Sequence, residues 1–289
     1  MNPAIAPAAP ATPLRIDGHT DIIAHIGYPT HSFKAPLIYN PWFAHAGVNA
    51  VVVPMGCEAA GFADLLRSVF KLTNIRGALI TMPHKVTSMG LLDVVRPAAA
   101  IANACNAVRR LPDGRLEGDL FDGEGFVRGV VGKGFQPSGA RVLVVGCGGV
   151  GSAIAASLAA AGVAELTLFD SRPGSADGLA ERLRAHFPAA LAHVGSNDPA
   201  GQHLVVNATP LGMNAGDPLP IDVSRLQAST FVGEVVMTQR MTPLLTAAAQ
   251  KGCAFQVGTD MLFEQIPPYL EFFGLPVASA DQLRALAQI

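Results

Sequence analysis

The chain has 289 residues, enough for two domains at about 150 residues each. Half of it is apolar and 15% is charged, which excludes disorder over most of the length, and a net charge of −2 offers no footprint for nucleic acid or an anionic membrane. The cysteines (Cys57, Cys105, Cys147, Cys253) lie far apart with no C-x-x-C pair, and the histidines show no H-x-x-x-H or H-x-H spacing, so neither a disulfide framework nor a metal site is expected. The Ala/Pro-rich residues 1–14 lack a basic n-region and read as a mobile tail rather than a signal peptide, which implies a cytoplasmic protein.

From residue 15 to about 120, strand-like runs at Ile22–Ile26, Asn49–Val53 and Gly77–Thr81 alternate with helical spacing over 36–46, 58–72 and 84–95. This alternation predicts βαβ units and parallel pairing. The runs Cys105–Arg109 and Arg115–Asp119 flank Leu-Pro-Asp-Gly and predict a hairpin, followed by a helix over Asp122–Val131. Residues 132–139, rich in Gly, Pro and Ser, read as the interdomain linker. A second βα series has strands at 141–145, 164–169, 203–207 and 231–236. The uncharged stretch 142–164 meets the length test for a membrane span, but its glycines break it into a strand, a turn and an Ala-rich helix. Residues 258–274 look helical, with a break or kink at Pro267 and Pro268. The expected division is a substrate domain over 15–125, a dinucleotide domain over 126–257 and a helical segment over 258–289.

Arg141–Ser152 runs from an apolar strand into G-x-G-x-x-G and a helix. Gly146 allows the tight turn, Gly148 and Gly149 let backbone N–H groups approach a pyrophosphate, and Gly151 permits close helix–strand packing. With Val150 they form the expected cofactor loop, and the helix N-terminus adds partial positive charge. Asp170 closes the second strand, nineteen residues after Gly151. A carboxylate there accepts from ribose hydroxyls and repels a 2′-phosphate, so NAD is expected over NADP, with Arg172 the opposing feature. Asn207, Thr209 and Gly258 complete the expected cofactor contacts.

The ordered segments Gly27–Pro36, Gly77–Lys85, Ala104–Ala107, Gly118–Gly123, Gly146–Gly151, Val206–Met213, Thr242–Leu245 and Met261–Gln265 resemble the shikimate/quinate dehydrogenase family over nearly the whole chain after residue 15. The resemblance implies an α/β fold with a mixed-sheet substrate domain, a Rossmann-type dinucleotide domain and an active site in the cleft between them. It implies Lys85 and Asp122 as the catalytic pair, and Thr81, Asn106 and Gln265 as substrate contacts. It also exposes departures. The family's S-x-S-P aligns with Phe33-Lys34-Ala35-Pro36, its pocket Asn with Leu79, its Thr before D-G with Phe121 and its Tyr before T-P-L-L with Met237. Phe33 and Met237 therefore enter the pocket as apolar replacements, while Ser32 and His31, one residue out of register, are candidates to restore part of a carboxylate site. A site stripped of donors discriminates against a ligand that needs them.

The expected function is NAD-dependent hydride transfer between nicotinamide and a secondary alcohol on a small cyclic hydroxy compound altered from shikimate, in a monomer or homodimer. Lys85 takes the hydroxyl proton and Asp122 orients it, the two titrating as a pair. The alternatives are a genuine shikimate or quinate dehydrogenase of aromatic metabolism, and an NAD-binding regulatory protein without turnover. His84 is expected as an exposed neighbour at a helix start, and Cys147 as a packing residue.

Overall fold

A computed structural model describes residues 15–289, so the tail expected at 1–14 lies outside the described residues. In chain order, β1 (Asp21–Gly27), α1 (Ala35–Ala46), β2 (Ala50–Gly56), α2 (Phe62–Val69) and β3 (Ile75–Ile80) form two parallel pairings around β1. Pro36 opens α1 and Gly47, at φ 66°, closes it, the usual division of labour between a pre-set φ and a left-handed stop. Phe62, Leu66 and Val69 bury one face of α2, as the period required. After β4 (Val94–Val95) and α3 (Pro97–Ala102) come β5 (Ala107–Arg110) and β6 (Leu116–Asp119), the expected antiparallel hairpin. They complete a mixed six-stranded sheet in the order β2-β1-β3-β5-β6-β4.

The helix expected over 84–95 is absent. A short 3-10 turn at Thr87–Leu91 and then β4 occupy that stretch. The Lys85 carbonyl accepts from the Cys105 N–H at 2.8 Å and the Ser88 hydroxyl at 2.9 Å, so a long-range bond replaces the helical one.

The helix α4 (Asp122–Gly132) follows, and the boundary expected at 125/126 falls within it. Beyond it, β7 (Arg141–Val145), α5 (Gly149–Ala160), β8 (Glu165–Phe169), α6 (Ser175–His186), β9 (Leu191–Val194), β10 (Leu204–Asn207), β11 (Phe231–Glu234), α7 (Pro243–Gln250) and β12 (Phe255–Gln256) build a parallel six-stranded sheet. Its order, β12-β11-β10-β7-β8-β9, reverses direction between β7 and β10, so the switch point stands at the glycine loop. Nearly every residue of α5 is buried, which explains why an Ala-rich sequence was needed there.

The last segment forms α8 (Gly258–Glu264), α9 (Ile266–Phe272) and α10 (Ala280–Leu286). Pro267 and Pro268 fall in the first turn of α9, where no N–H partner is lost, so they begin a helix rather than kink one. These helices return to the first sheet: Phe263, Ile266, Tyr269, Leu270 and Leu283 share a buried cluster with Ile23, Ile38, Phe43 and Leu79.

The two sheets meet through α4 and α5. A Cβ on Gly123 would run into the Ala153 carbonyl of α5 and the Ser157 hydroxyl. Since backbone cannot yield as a side chain can, Gly123→Ala should cost about 1–3 kcal/mol of stability. Urea unfolding of the two proteins measures this directly, as a lower midpoint at unchanged slope.

Candidate active site

Lys85 follows β3 by one tight turn, and Asp122 is the first residue of α4. The Lys85 Nζ donates to Asp122 Oδ2 at 2.6 Å, with side-chain exposures of 25% and 8%. Asp122 opens α4, and the Lys85 ammonium is its charged partner. Around this pair stand polar atoms without partners. Asn106 is buried; its Oδ1 accepts from the Phe121 N–H at 3.1 Å, but its Nδ2 is unpaired. Gln265, at the α8–α9 junction, packs its backbone against Gly125 of α4 and leaves Oε1 unpaired. Thr81 is tied through its N–H to the Ile26 carbonyl at 3.0 Å, and the Asn106 carbonyl accepts from Ile80 at 2.8 Å. Buried polar groups are nearly always satisfied, so orphans on two residues that touch the start of α4 make this region a candidate place for a ligand.

The departing positions lie in apolar surroundings in both domains. The Phe33 ring stacks on His25 with centroids 4.0 Å apart and lies over Gly27, where the Thr81 methyl also rests. Leu79 and Phe121 are buried in one cluster, and Phe121 meets Tyr269 and Phe272 edge-on at 4.9 and 5.5 Å. Met237 follows β11 and packs against the second-domain core. Ser32 and His31 are exposed, and the Ser32 hydroxyl bonds only the Pro29 carbonyl at 3.4 Å, so the structure does not bring them into a carboxylate site.

In the second domain, Gly146 has φ 99° and faces the Ala208 backbone, while a Cβ on Gly151 would strike the Gly146 carbonyl. Gly148 and Gly149 meet no backbone, and Gly148 caps α5 without a side-chain bond, so the loop's open face and the free N–H groups at the start of α5 fit a pyrophosphate. Val150 is partly buried in the first turn. Cys147 is a packing residue as expected: burial pushes its thiol up to about 12. The Cys147 N–H donates to Asp170 Oδ2 at 2.7 Å. Arg172 bonds the same carboxylate from its backbone N–H, Nε and Nη2 at 2.8 to 3.1 Å and holds it down at about 2. Asp170 therefore laces the loop to the β8 tip with its charge neutralised, and the Arg172 side chain remains 64% exposed.

Three expected cofactor contacts also have structural roles within the domain. Asn207 Nδ2 donates to the Glu234 carboxylate and the Leu211 carbonyl, and its Oδ1 accepts from the Thr209 hydroxyl at 2.6 Å. Both side chains are thus used within the domain. Gly258 is a close-approach position, since a Cβ there would hit the Val236 carbonyl. The carboxylate that Asn207 serves, Glu234, is fully buried; burial pushes it up, and Thr242 and the N–H groups of Val235 and Val236 hold it. Nothing in the local pattern distinguished this acid from a solvated one.

Two histidines depart from expectation. His84 is buried, with Nε2 donating to the Cys57 carbonyl at 2.7 Å and its ring stacked on Phe62 at 4.0 Å. His25 is 8% exposed, its Nδ1 has no partner, and burial brings its pKa to about 4. The unfolded chain binds this proton below about 6.5, the native state only near 4. Stability from this group is therefore full above pH 6.5 and lost as pH falls toward 4, by about 3 kcal/mol. Urea midpoints of the parent and of His25→Leu, compared at pH 7 and pH 4.5, should show the difference shifting toward the variant at the lower pH.

A separate cavity of about 500 Å³ lies beside α4 and α5, lined by Arg96, Asp119, Phe121, Glu124, Ala156 and Phe187. Its charges are spent internally, Arg96 on Glu117 and Asp119 and Arg128 on Glu124. Among the described residues no helix is long and apolar enough to cross a membrane, and no group of His, Cys, Asp and Glu is arranged to hold a metal ion.

A model described as the shikimate dehydrogenase substrate binding domain matches residues 25–108, and one described as the ThiF family matches 136–172, the stretch holding β7, the glycine loop and β8. The shikimate dehydrogenase (NADP(+)) of Rubrobacter xylanophilus is 38% identical over 259 residues, 87% of this chain and 89% of its own length. That of Acidiphilium cryptum is 33% identical over 275 residues, 94% and 98% of the two chains. Among solved structures, shikimate 5-dehydrogenase from Listeria monocytogenes, in complex with shikimate and NAD, has a TM-score of 0.87 at 26% identity, covering 94% of this chain and 97% of its own. Ligand-free 5-ketofructose reductase of Gluconobacter sp. strain CHM43 has 0.85 at 26% (93% and 99%). Quinate dehydrogenase from Corynebacterium glutamicum, in complex with NAD, has 0.82 at 30% (92% and 98%).

The expectation of NAD over NADP is corrected by these relatives, whose names specify NADP(+). The physical reason lies in the Arg172 clamp: an Asp170 neutralised by a guanidinium no longer presents the bare charge that would repel a 2′-phosphate. With two-domain α/β architecture, ordered motifs and relatives of this identity spanning most of its length, the chain belongs to the shikimate dehydrogenase family and is an alcohol-type oxidoreductase.

Proposed function

We propose that the protein interconverts a secondary alcohol and a ketone on a small hydroxylated compound other than shikimate, with Lys85 and Asp122 as the catalytic pair. The carrying observation is the 2.6 Å contact between Lys85 Nζ and Asp122 Oδ2, surrounded by the unpaired polar atoms of Asn106 and Gln265. A bound nicotinamide dinucleotide supplies the hydride acceptor or donor. Lys85 holds the proton at the reacting oxygen, and Asp122 fixes the direction of the amine and shares the proton, so the two act as one unit. Thr81, Asn106 and Gln265 orient the remaining hydroxyls. The altered substrate is supported by Phe33, Ala35, Leu79, Phe121 and Met237 at positions where the family offers polar groups, and by the solved 5-ketofructose reductase of similar fold.

The dinucleotide is proposed to lie on Gly146–Gly151, with NADP accepted through Arg172, whose exposed guanidinium lies beside Gly148, in contact distance of where a Cβ there would stand. A charge-assisted contact is worth about 1.5–3 kcal/mol. Arg172→Ala should therefore raise the Kd for NADP roughly tenfold to a hundredfold and change that for NAD less. Fluorescence titration with each dinucleotide checks this.

For the catalytic pair, Lys85→Ala should lower kcat by about 10²–10⁴-fold while leaving dinucleotide affinity nearly unchanged. Asp122→Asn should also lower kcat and shift the pH–rate profile, and the double variant should lose less than the product of the single losses. Titration and steady-state rates on the same preparations separate binding from turnover. A Lys85→Ala enzyme that keeps most of its kcat would overturn the assignment.

A further inference from the structure

We infer that the substrate is an uncharged polyhydroxy compound and that His25, stacked on Phe33, hydrogen-bonds one of its oxygens. This rests on the dehydrogenase reading above. His25 and Gly27 on β1, and Leu79 and Thr81 on and just after β3, lie on one face, because side chains alternate along paired strands and His25 stands opposite Leu79. The Phe33 ring and the Thr81 methyl both rest on Gly27, so His25, Phe33 and Thr81 form one continuous wall. Lys85 comes one turn after Thr81, which joins the wall to the reacting end.

The wall offers no charge. Phe33 and Ala35 stand where the family places the serines that hold its carboxylate. Lys34 and His31 are exposed, and Lys85 is committed to Asp122. Burial keeps the His25 imidazole neutral down to about pH 4. A carboxylate laid against Phe33 would lose its water and gain no cationic partner, a large penalty. A hydroxyl suits the wall, because neutral imidazole is a donor at one nitrogen and an acceptor at the other, as a hydroxyl is both.

Three of the buried unpaired atoms bear on the substrate class. His25 Nδ1, Asn106 Nδ2 and Gln265 Oε1 are each buried without a partner, and they lie on residues from β1, the approach to β5, and the α8–α9 junction. One hydroxyl cannot serve three such positions. Several oxygens on a small carbon frame can, with the C–H face of that frame against the Phe33 ring. A cyclitol and a sugar alcohol share this chemistry.

The test is a matched panel assayed in both directions with NADP and NADPH. Quinate and shikimate are set against myo-inositol, sorbitol and fructose. At least one uncharged compound should exceed both carboxylates in kcat/KM by tenfold or more, and myo-inositol against sorbitol distinguishes a ring from an open chain. Preference for a carboxylate overturns the inference and leaves the dehydrogenase reading standing. No turnover of any compound by protein that binds NADP overturns both. On the best uncharged compound, His25→Val should raise KM about tenfold, the loss of one hydrogen bond, with kcat within about threefold. His25→Asn, which keeps an amide near Nδ1, should recover most of that loss. If KM is unchanged in both variants, His25 is only a packing residue and its assignment falls.

Discussion

The near-contact of helix backbones along α4 is the constraint on which the two halves of the molecule depend. Three of its glycines face three different partners: Gly123 abuts the Ala153 carbonyl of α5, Gly125 abuts Gln265, and Gly129 abuts the Gln256 side chain of β12. A Cβ at any of them would collide. Because α4 begins with Asp122, the same helix that locks the second sheet to the first also aims the acid at Lys85. Packing and chemistry thus meet in one element, which carries the acid at its first residue and the contacts to α5 along its length.

Buried charge is handled differently in each half. In the second domain Glu234 is wrapped entirely by donors from Asn207, Thr242 and its own following backbone, so the carboxylate acts as a spacer that ties β10 to β11. Asp170 is likewise closed off by Arg172 and the Cys147 N–H. In the first domain the polar groups near Lys85 are left incompletely paired. Unsatisfied buried groups cost stability; Asn106, Gln265 and His25 carry such atoms on the first sheet and the helices that return to it, and Trp42, Gln202 and Gln256 carry others elsewhere.

Much of this was legible in the residues. The alternation of strands and helices, the hairpin around Leu-Pro-Asp-Gly and the glycine loop are local patterns, and the sheets formed where those patterns lay. The failures share a cause in long-range bonds. Residues 84–95 have helical spacing, but the Lys85 carbonyl belongs to Cys105. Asn207 and Thr209 end a strand, and their spacing does not show that Glu234, twenty-seven residues on, takes the Asn207 amide. Asp170 looked like a bare ribose partner because a spacing of two does not show that Arg172 folds back onto it. His25 had no motif to announce it, since its role comes from the ring of Phe33 across a turn.

The return of α8, α9 and α10 to the first sheet has a consequence for the order in which the molecule assembles. Ile23, Ile38 and Phe43 are made early in synthesis, yet the cluster that buries them includes Tyr269, Leu270 and Leu283 from the end of the chain. Until the last helices are made, that face of the first sheet has only part of its cover, from α1, and incompletely covered apolar surface favours wrong contacts. The second sheet, contiguous from β7 to β12, is free to close first. The half of the protein that is begun first is finished last, and its long sequence separations make that closing step the slow one.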